Sequence, residues 1–91
     1  MRSEAGVAYP EGRLTQSEAK RLLAEGEVAI RQGCAVFDLA GAAQVDSVAV
    51  SLMLAWQRRA HQQGKRLVFR NLPDSVKSLI ALYGVEHLIP A

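Results

Sequence analysis

The six residues Cys34-Ala35-Val36-Phe37-Asp38-Leu39 constrain this chain more than any other stretch. Nothing polar interrupts them until Asp38. A short, continuous apolar run with β-branched and aromatic members reads as a central strand buried on both faces. Such a strand needs layers packed against it, and helical patterns flank it in the sequence.

The pattern before the run is amphipathic. Ala19, Leu22, Leu23, Gly26, Ala29 and Ile30 recur at i, i+3, i+4 and i+7, which predicts a helix. Thr15-Gln16-Ser17-Glu18 has the form of a capping box, and Gly33 is a natural stop. Gly26 falls on the buried stripe, where the expected role is close packing of backbone against a neighbour. After the central run, Ala40-Gly41-Ala42-Ala43-Gln44 reads as a small-residue connection. A second helix is expected from Asp46, a good N-cap, to about Gln63, with Gly64 closing it. Arg66-Leu67-Val68-Phe69-Arg70 predicts a strand, and Pro73 suits the first turn of a third helix over 75–83. Val76, Leu79, Ile80 and Tyr83 of that helix are expected to face inward. Val85, Leu88 and Ile89 are expected to tuck a last short turn against the core. At the start, only Gly6-Val7-Ala8-Tyr9 suggests a strand before Pro10, and Glu11-Gly12-Arg13 reads as a turn. Strands joined by helices imply right-handed crossovers and a parallel or mixed sheet.

Ninety-one residues at 49% apolar content fit one globular domain over 1–91, with residues 1–13 a short strand region. The single cysteine, Cys34, has no internal partner, so a reduced buried thiol is expected, which fits the cytosol. Met1 is not followed by a basic-then-apolar leader pattern, and no apolar run approaches about 20 residues. Secretion and direct membrane insertion are therefore not expected.

No phosphate-binding glycine loop, dinucleotide fingerprint, HExxH or CxxC occurs, so neither a cofactor nor a metal is expected. A Ser-His-acid set written from Ser47, His61 and Asp38 fails on spacing. Ser47 and His61 stand almost four turns apart on one predicted helix, about 20 Å. Arg58, Arg59, His61, Lys65 and Arg66 gather near the end of that helix. Cations there oppose the negative end of the helix dipole. Without interleaved aromatic residues to stack bases, they do not read as a nucleic-acid site.

On a helical wheel the second helix shows one unusual side. Val45, Ala49, Leu52, Met53, Trp56 and Ala60 form the core stripe. Opposite them lie Ser47, Val50, Ser51, Leu54 and Arg58, where an ordinary surface helix would carry several charges. Either a partner protein covers that apolar strip, or another part of this chain does.

The run Phe37-Asp38-Leu39-Ala40-Gly41 to Val45-Asp46-Ser47, the aliphatic helix, Gly64-Lys65-Arg66-Leu67 and Asn71-Leu72-Pro73 together resemble a STAS domain. The ending Leu79-Ile80-Ala81-Leu82-Tyr83-Gly84-Val85 is similar to the small STAS subunits of Mla-type phospholipid ABC transporters of Gram-negative bacteria. The resemblance covers about residues 12–90. It implies an α/β fold, a mixed sheet of about four strands with helices largely on one side. STAS domains usually open with two strands before the first helix, and only one short piece is visible here. In the related anti-sigma factor antagonists, a hydroxyl residue two places after the aspartate accepts a phosphate. Here that place holds Val48, which has no oxygen, while Ser47 matches the hydroxyl that follows the aspartate in the Mla pattern.

The resemblance implies a non-catalytic subunit that binds the ATPase of a lipid-transporting complex, cytoplasmic and peripheral to the inner membrane through that partner. An antagonist binding an anti-sigma kinase is the alternative. A small-molecule binder or hydrolase at the Asp38 and Asp46 loops is a third reading, without a catalytic set to support it. The expected partner face is Ser47, Val50, Ser51, Leu54 and Arg58, framed by the loop aspartates Asp38 and Asp46.

Overall fold

The computed structural model describes residues 1–90, and Ala91 lies outside the described residues. Three short strands open the chain: β1 (Arg2–Glu4), β2 (Val7–Tyr9) and β3 (Gly12–Leu14). A 3-10 turn at Gln16–Glu18 leads into α1 (Ala19–Arg31). Then follow β4 (Val36–Asp38), β5 (Ala42–Val45), α2 (Val48–Gln62), β6 (Val68–Arg70), α3 (Asp74–Tyr83) and a 3-10 turn at Glu86–Leu88.

The main sheet has the order β1-β2-β4-β6 and is mixed. β1 pairs antiparallel with β2, while β2–β4 and β4–β6 are parallel. This is the mixed α/β architecture that the sequence predicts. Ala8, Phe37 and Phe69 stand in register across three strands and are fully buried under the helices. The Phe37 ring lies 4.9 Å from that of Trp56 and 5.9 Å from that of Phe69.

The opposite face of the sheet is open, which corrects the expectation of a strand buried on both faces. Val36 is half-buried, Ala35 is exposed, and Val68 is 42% exposed. Polar contacts occupy part of this face. The Arg2 guanidinium lies 3.9 Å above the Tyr9 ring, and Arg70 Nε donates to Asp38 at 2.8 Å.

The second sheet pairs β3 with β5 in parallel, with a register irregularity between Gly12 and Arg13. Both strands overturn expectations: Glu11–Arg13 is not simply a turn, and Ala40–Gln44 is not simply a connection. Their sequences are rich in Gly, Ala, Gln and Arg, so they carry almost no β-propensity signal. Pairing between two distant segments makes them strands. The short-start expectation is corrected with them, because three strands precede α1.

The capping box at Thr15 does not form. Thr15 makes no side-chain cap bond, and only its carbonyl accepts the Glu18 N–H, at 3.0 Å. The Glu18 carboxylate pairs instead with Arg21 at 3.2 Å and Arg13 at 3.5 Å. Tyr83, expected inward, is 50% exposed at the last position of α3, where Gly84 turns the chain at φ +67°. Of the residues expected to tuck in, Ile89 is buried and Val85 half-buried, but Leu88 is 41% exposed. The Pro90 carbonyl accepts from Phe69 N–H at 2.8 Å, so the final turn closes on the edge of β6 through Ile89 and the backbone. Cys34 is a buried free thiol. Among the described residues no helix is long and apolar enough to cross a membrane.

Candidate functional site

The β3–β5 ribbon sets the geometry of the site. β3 runs through Thr15 into α1, and β5 runs through Asp46 into α2. Parallel pairing of the two strands therefore places the N-termini of both helices side by side. Asp46 ties them together. Its Oδ1 accepts the Val48 N–H at 2.9 Å, and its Oδ2 accepts the Gln16 N–H at 3.2 Å. Its carbonyl accepts the Ala49 N–H at 3.0 Å. One carboxylate thus satisfies an unpaired donor at the start of each helix and lies at both positive dipole ends.

Ser47 follows in helical geometry, with an exposed side chain that makes no cap bond. Ser51 and Arg58 are also exposed, and Leu54 is half-buried. Val50 is not part of this surface. It is 2% exposed, which corrects the expectation that it faces outward. The reason is rotation of the helix. Val50 and Gln57 lie seven residues apart on one side of α2, and Gln57 Nε2 donates to the carbonyls of Leu67 and Leu88, at 3.0 and 3.3 Å. That side is turned toward the start of β6 and the C-terminal turn. The exposed arc is centred on Ser51 and Ala55.

Sequence reasoning places Ser51 on this surface but misses its neighbours Val48 and Ala55, which the rotation leaves half-buried, and the α1 residues across from them. Val48, Ser51, Leu52 and Ala55 of α2 face Ala19, Lys20 and Leu23 across an open groove of about 540 Å³. Leu23 and Val48 are half-buried there instead of sealed in the core. The groove continues toward Glu27, Arg58, Arg59 and Gln62, where Arg59 Nε donates to Glu27 at 3.0 Å. The wheel pattern of Val48, Ala55 and Gln62, spaced by seven, carries the only signal for it.

Asp38 belongs to a different constellation. It is buried at the end of β4 and accepts from Arg70 Nε at 2.8 Å, from Asn71 Nδ2 at 3.1 Å and from the Ala40 N–H at 2.9 Å. Burial pushes its pKa up, but the hydrogen bonds from Arg70, Ala40 and Asn71 and the Arg70 charge outweigh that and hold it below the ordinary range. Asp38 and Asp46 share no hydrogen-bond partner. Asp38 therefore fixes the loop after β4, and Asp46 fixes the start of α2. Lys65 Nζ donates to the Ile30 carbonyl at 2.9 Å, so this member of the basic cluster caps the end of α1. Among the described residues, no group of three or more His, Cys, Asp or Glu side chains is placed to hold a metal ion.

Comparison with solved structures finds a likeness to the anti-sigma factor antagonist SpoIIAA in its unphosphorylated form. The TM-score is 0.69 at 21% sequence identity, over 91% of this chain and 75% of that one. At that identity the likeness shows the fold. A search of the curated proteins finds no match in sequence. The profile of the family described as "Mlab, STAS domain" matches residues 5–90, nearly the whole chain. With the mixed sheet, its helices on one side and the α2 start tied by Asp46, the chain belongs to this STAS-domain family.

Proposed function

We propose that this chain is a non-catalytic accessory subunit that binds the ATPase of a phospholipid-transporting ABC complex, one that maintains outer-membrane lipid asymmetry in a Gram-negative bacterium. Docking runs through the N-terminal half of α2, with Ser47, Ser51 and Leu54 as contacts and Arg58 at the rim. The observation that carries this reading is the character of that arc. Its first two turns expose two small hydroxyls beside half-exposed Val48, Leu54 and Ala55, with no charge before Arg58. Small side chains let another surface approach, and aliphatic area left in water favours burial against a partner. Family membership supports the same reading.

Binding to an anti-sigma kinase under phosphate control is less favoured. The position equivalent to the phosphate acceptor is Val48, which is half-buried beside the groove and has no oxygen. The test is calorimetric titration of the chain against the purified ATPase subunit of the lipid transporter from the same organism. Leu54→Asp should weaken binding by at least about 2 kcal/mol, as a charge pressed into an apolar contact does. Wild-type affinity in a folded Leu54→Asp protein sinks the docking face. Tight binding to an anti-sigma kinase, with none to the ATPase, sinks the transporter reading.

A further inference from the structure

We propose that the groove between α1 and α2 receives a helical segment of the ATPase partner, with aliphatic side chains toward Val48 and Ala55 and carboxylates toward Lys20 and Arg58. This rests on the docking reading above and adds the chemistry of the partner's contact surface.

The groove has an apolar half and a polar half. Near the helix starts it is lined by Ala19, Leu23, Val48, Leu52 and Ala55; further along, by Glu27, Arg58, Arg59 and Gln62. Small residues at Ala19, Ser51 and Ala55 keep it open to an approaching helix.

Charge selects the occupant. Arg21 pairs with Glu18 and Glu25, and Arg59 pairs with Glu27. Lys20 and Arg58, by contrast, are exposed and have no ion-pair partner among the described residues. Lys20 lines the apolar half, and Arg58 the polar half. Two free cations beside an apolar strip are complementary to carboxylates that flank an aliphatic stripe.

Backbone geometry selects a helix. Both walls are helices, so beyond their first turns the N–H and C=O groups are bonded within the helix and form no open strand edge. An extended segment would find no ladder there, and its own backbone would lose water without replacement. A helix brings its backbone bonds with it. From Val48 to Gln62 the floor is about 21 Å long, room for about four helical turns.

The experiment compares Ala55→Trp, which fills the groove, and the double reversal Lys20→Glu/Arg58→Glu, which changes only exposed side chains. Each is titrated against the purified ATPase subunit at low and high salt, with circular dichroism as the folding control. Both variants should lose about tenfold or more in affinity, and the charge reversal should also lose the salt sensitivity of the wild type. If Ala55→Trp does not fold, the charge reversal decides alone. Affinity within about twofold of wild type in the charge-reversed protein, or in a folded Ala55→Trp, overturns the groove proposal. If Leu54→Asp still weakens binding in that case, the docking reading stands without the groove. A wild-type chain that does not bind the ATPase overturns both.

Discussion

Gly26 of α1 and Trp56 of α2 meet where the glycine has no side chain: a Cβ built on Gly26 would lie 2.5 Å from the indole Cε2 and closer still to Nε1. The two helices pack through this contact. The indole is fully buried, its far side rests on Phe37, and its Nε1 has no hydrogen-bond partner. Gly26→Ala therefore sets two effects against each other. Alanine favours a helix interior by about 1 kcal/mol. The clash with a rigid, enclosed ring costs about 1–3 kcal/mol or more. The ring has nowhere to move, so the clash wins, and urea unfolding should show a net loss of about 1–2 kcal/mol. A more stable Gly26→Ala protein would refute the contact.

The same contact predicts coupling. The atoms a Gly26 Cβ would strike, Nε1, Cε2 and Cδ1, all belong to the five-membered ring, the part of the indole nearest its own Cβ. Trp56→Leu removes that ring with the unpaired N–H and leaves a cavity that includes the space an alanine methyl at 26 would take. Gly26→Ala/Trp56→Leu should be more stable than the sum of its single changes predicts, by about 1 kcal/mol. Strict additivity in a double-mutant cycle would count against this geometry. Trp56→Ala alone should cost about 3–5 kcal/mol, a large share of the stability of a domain this small.

Asp46 holds the starts of two helices, so its removal should cost more than one ordinary cap. A lost N-cap acceptor costs about 1 kcal/mol. Asp46→Ala loses the bonds to both Val48 and Gln16 and should cost about 1–2 kcal/mol. Asp46→Asn keeps one carbonyl oxygen and should fall between. Hydrogen exchange at the Gln16 and Val48 amides should speed up together in Asp46→Ala. If only Val48 responds, the cross-helix bond is absent.

The sequence made the helices and the central strands legible because their residues repeat with a period. Leu22, Gly26, Ala29 and Ile30 mark one face of α1, and Phe37 and Phe69 mark the buried face of the sheet. β3 and β5 were not legible, since Gly12-Arg13-Leu14 and Ala42-Ala43-Gln44-Val45 have no alternation and exist only through pairing with each other. The candidate site suffered from the same limit. The wheel showed that α2 has an uncharged outer arc, but not where the arc is centred, because Val48, Val50, Leu54 and Ala55 are equally apolar to the eye. Gln57, bound to the carbonyls of Leu67 and Leu88, sets the rotation, and no local pattern announces those long-range bonds.

Asp38 gives the fold a pH dependence whose sign is fixed. Its folded pKa is below the unfolded value, so the unfolded chain binds the proton more readily. The stabilisation is present above the ordinary aspartate range, about pH 4, and is lost as pH falls from there through the folded pKa. Asp38→Asn removes the titrating group and the Arg70 ion pair. The mutant should be less stable at pH 7, and its urea midpoint should fall less than that of the wild type as the solution is acidified below about pH 4. Parallel acid profiles for the two proteins would show that Asp38 does not titrate in this window.

Val50 and Leu54 are one turn apart on α2, and their environments predict opposite outcomes for the same substitution. Val50 is 2% exposed on the side turned toward β6 and the C-terminal turn, within the core cluster. Val50→Asp would bury a carboxylate with no partner, at a cost of several kcal/mol, comparable to the whole stability of a small domain. It should not give a cooperative thermal transition. Leu54 is half-buried and borders a shallow hollow with Arg58, His61 and Leu88. An aspartate there can keep its charge in water and lie near the Arg58 and His61 side chains. Leu54→Asp should therefore fold with a loss of only about 1 kcal/mol, from reduced apolar contact. The pair separates fold from docking. A folded Val50→Asp protein would mean that α2 is rotated away from the orientation that buries Val50, and the arc centred on Ser51 and Ala55 would move with it. An unfolded Leu54→Asp protein would place Leu54 in the core and remove it from the docking face.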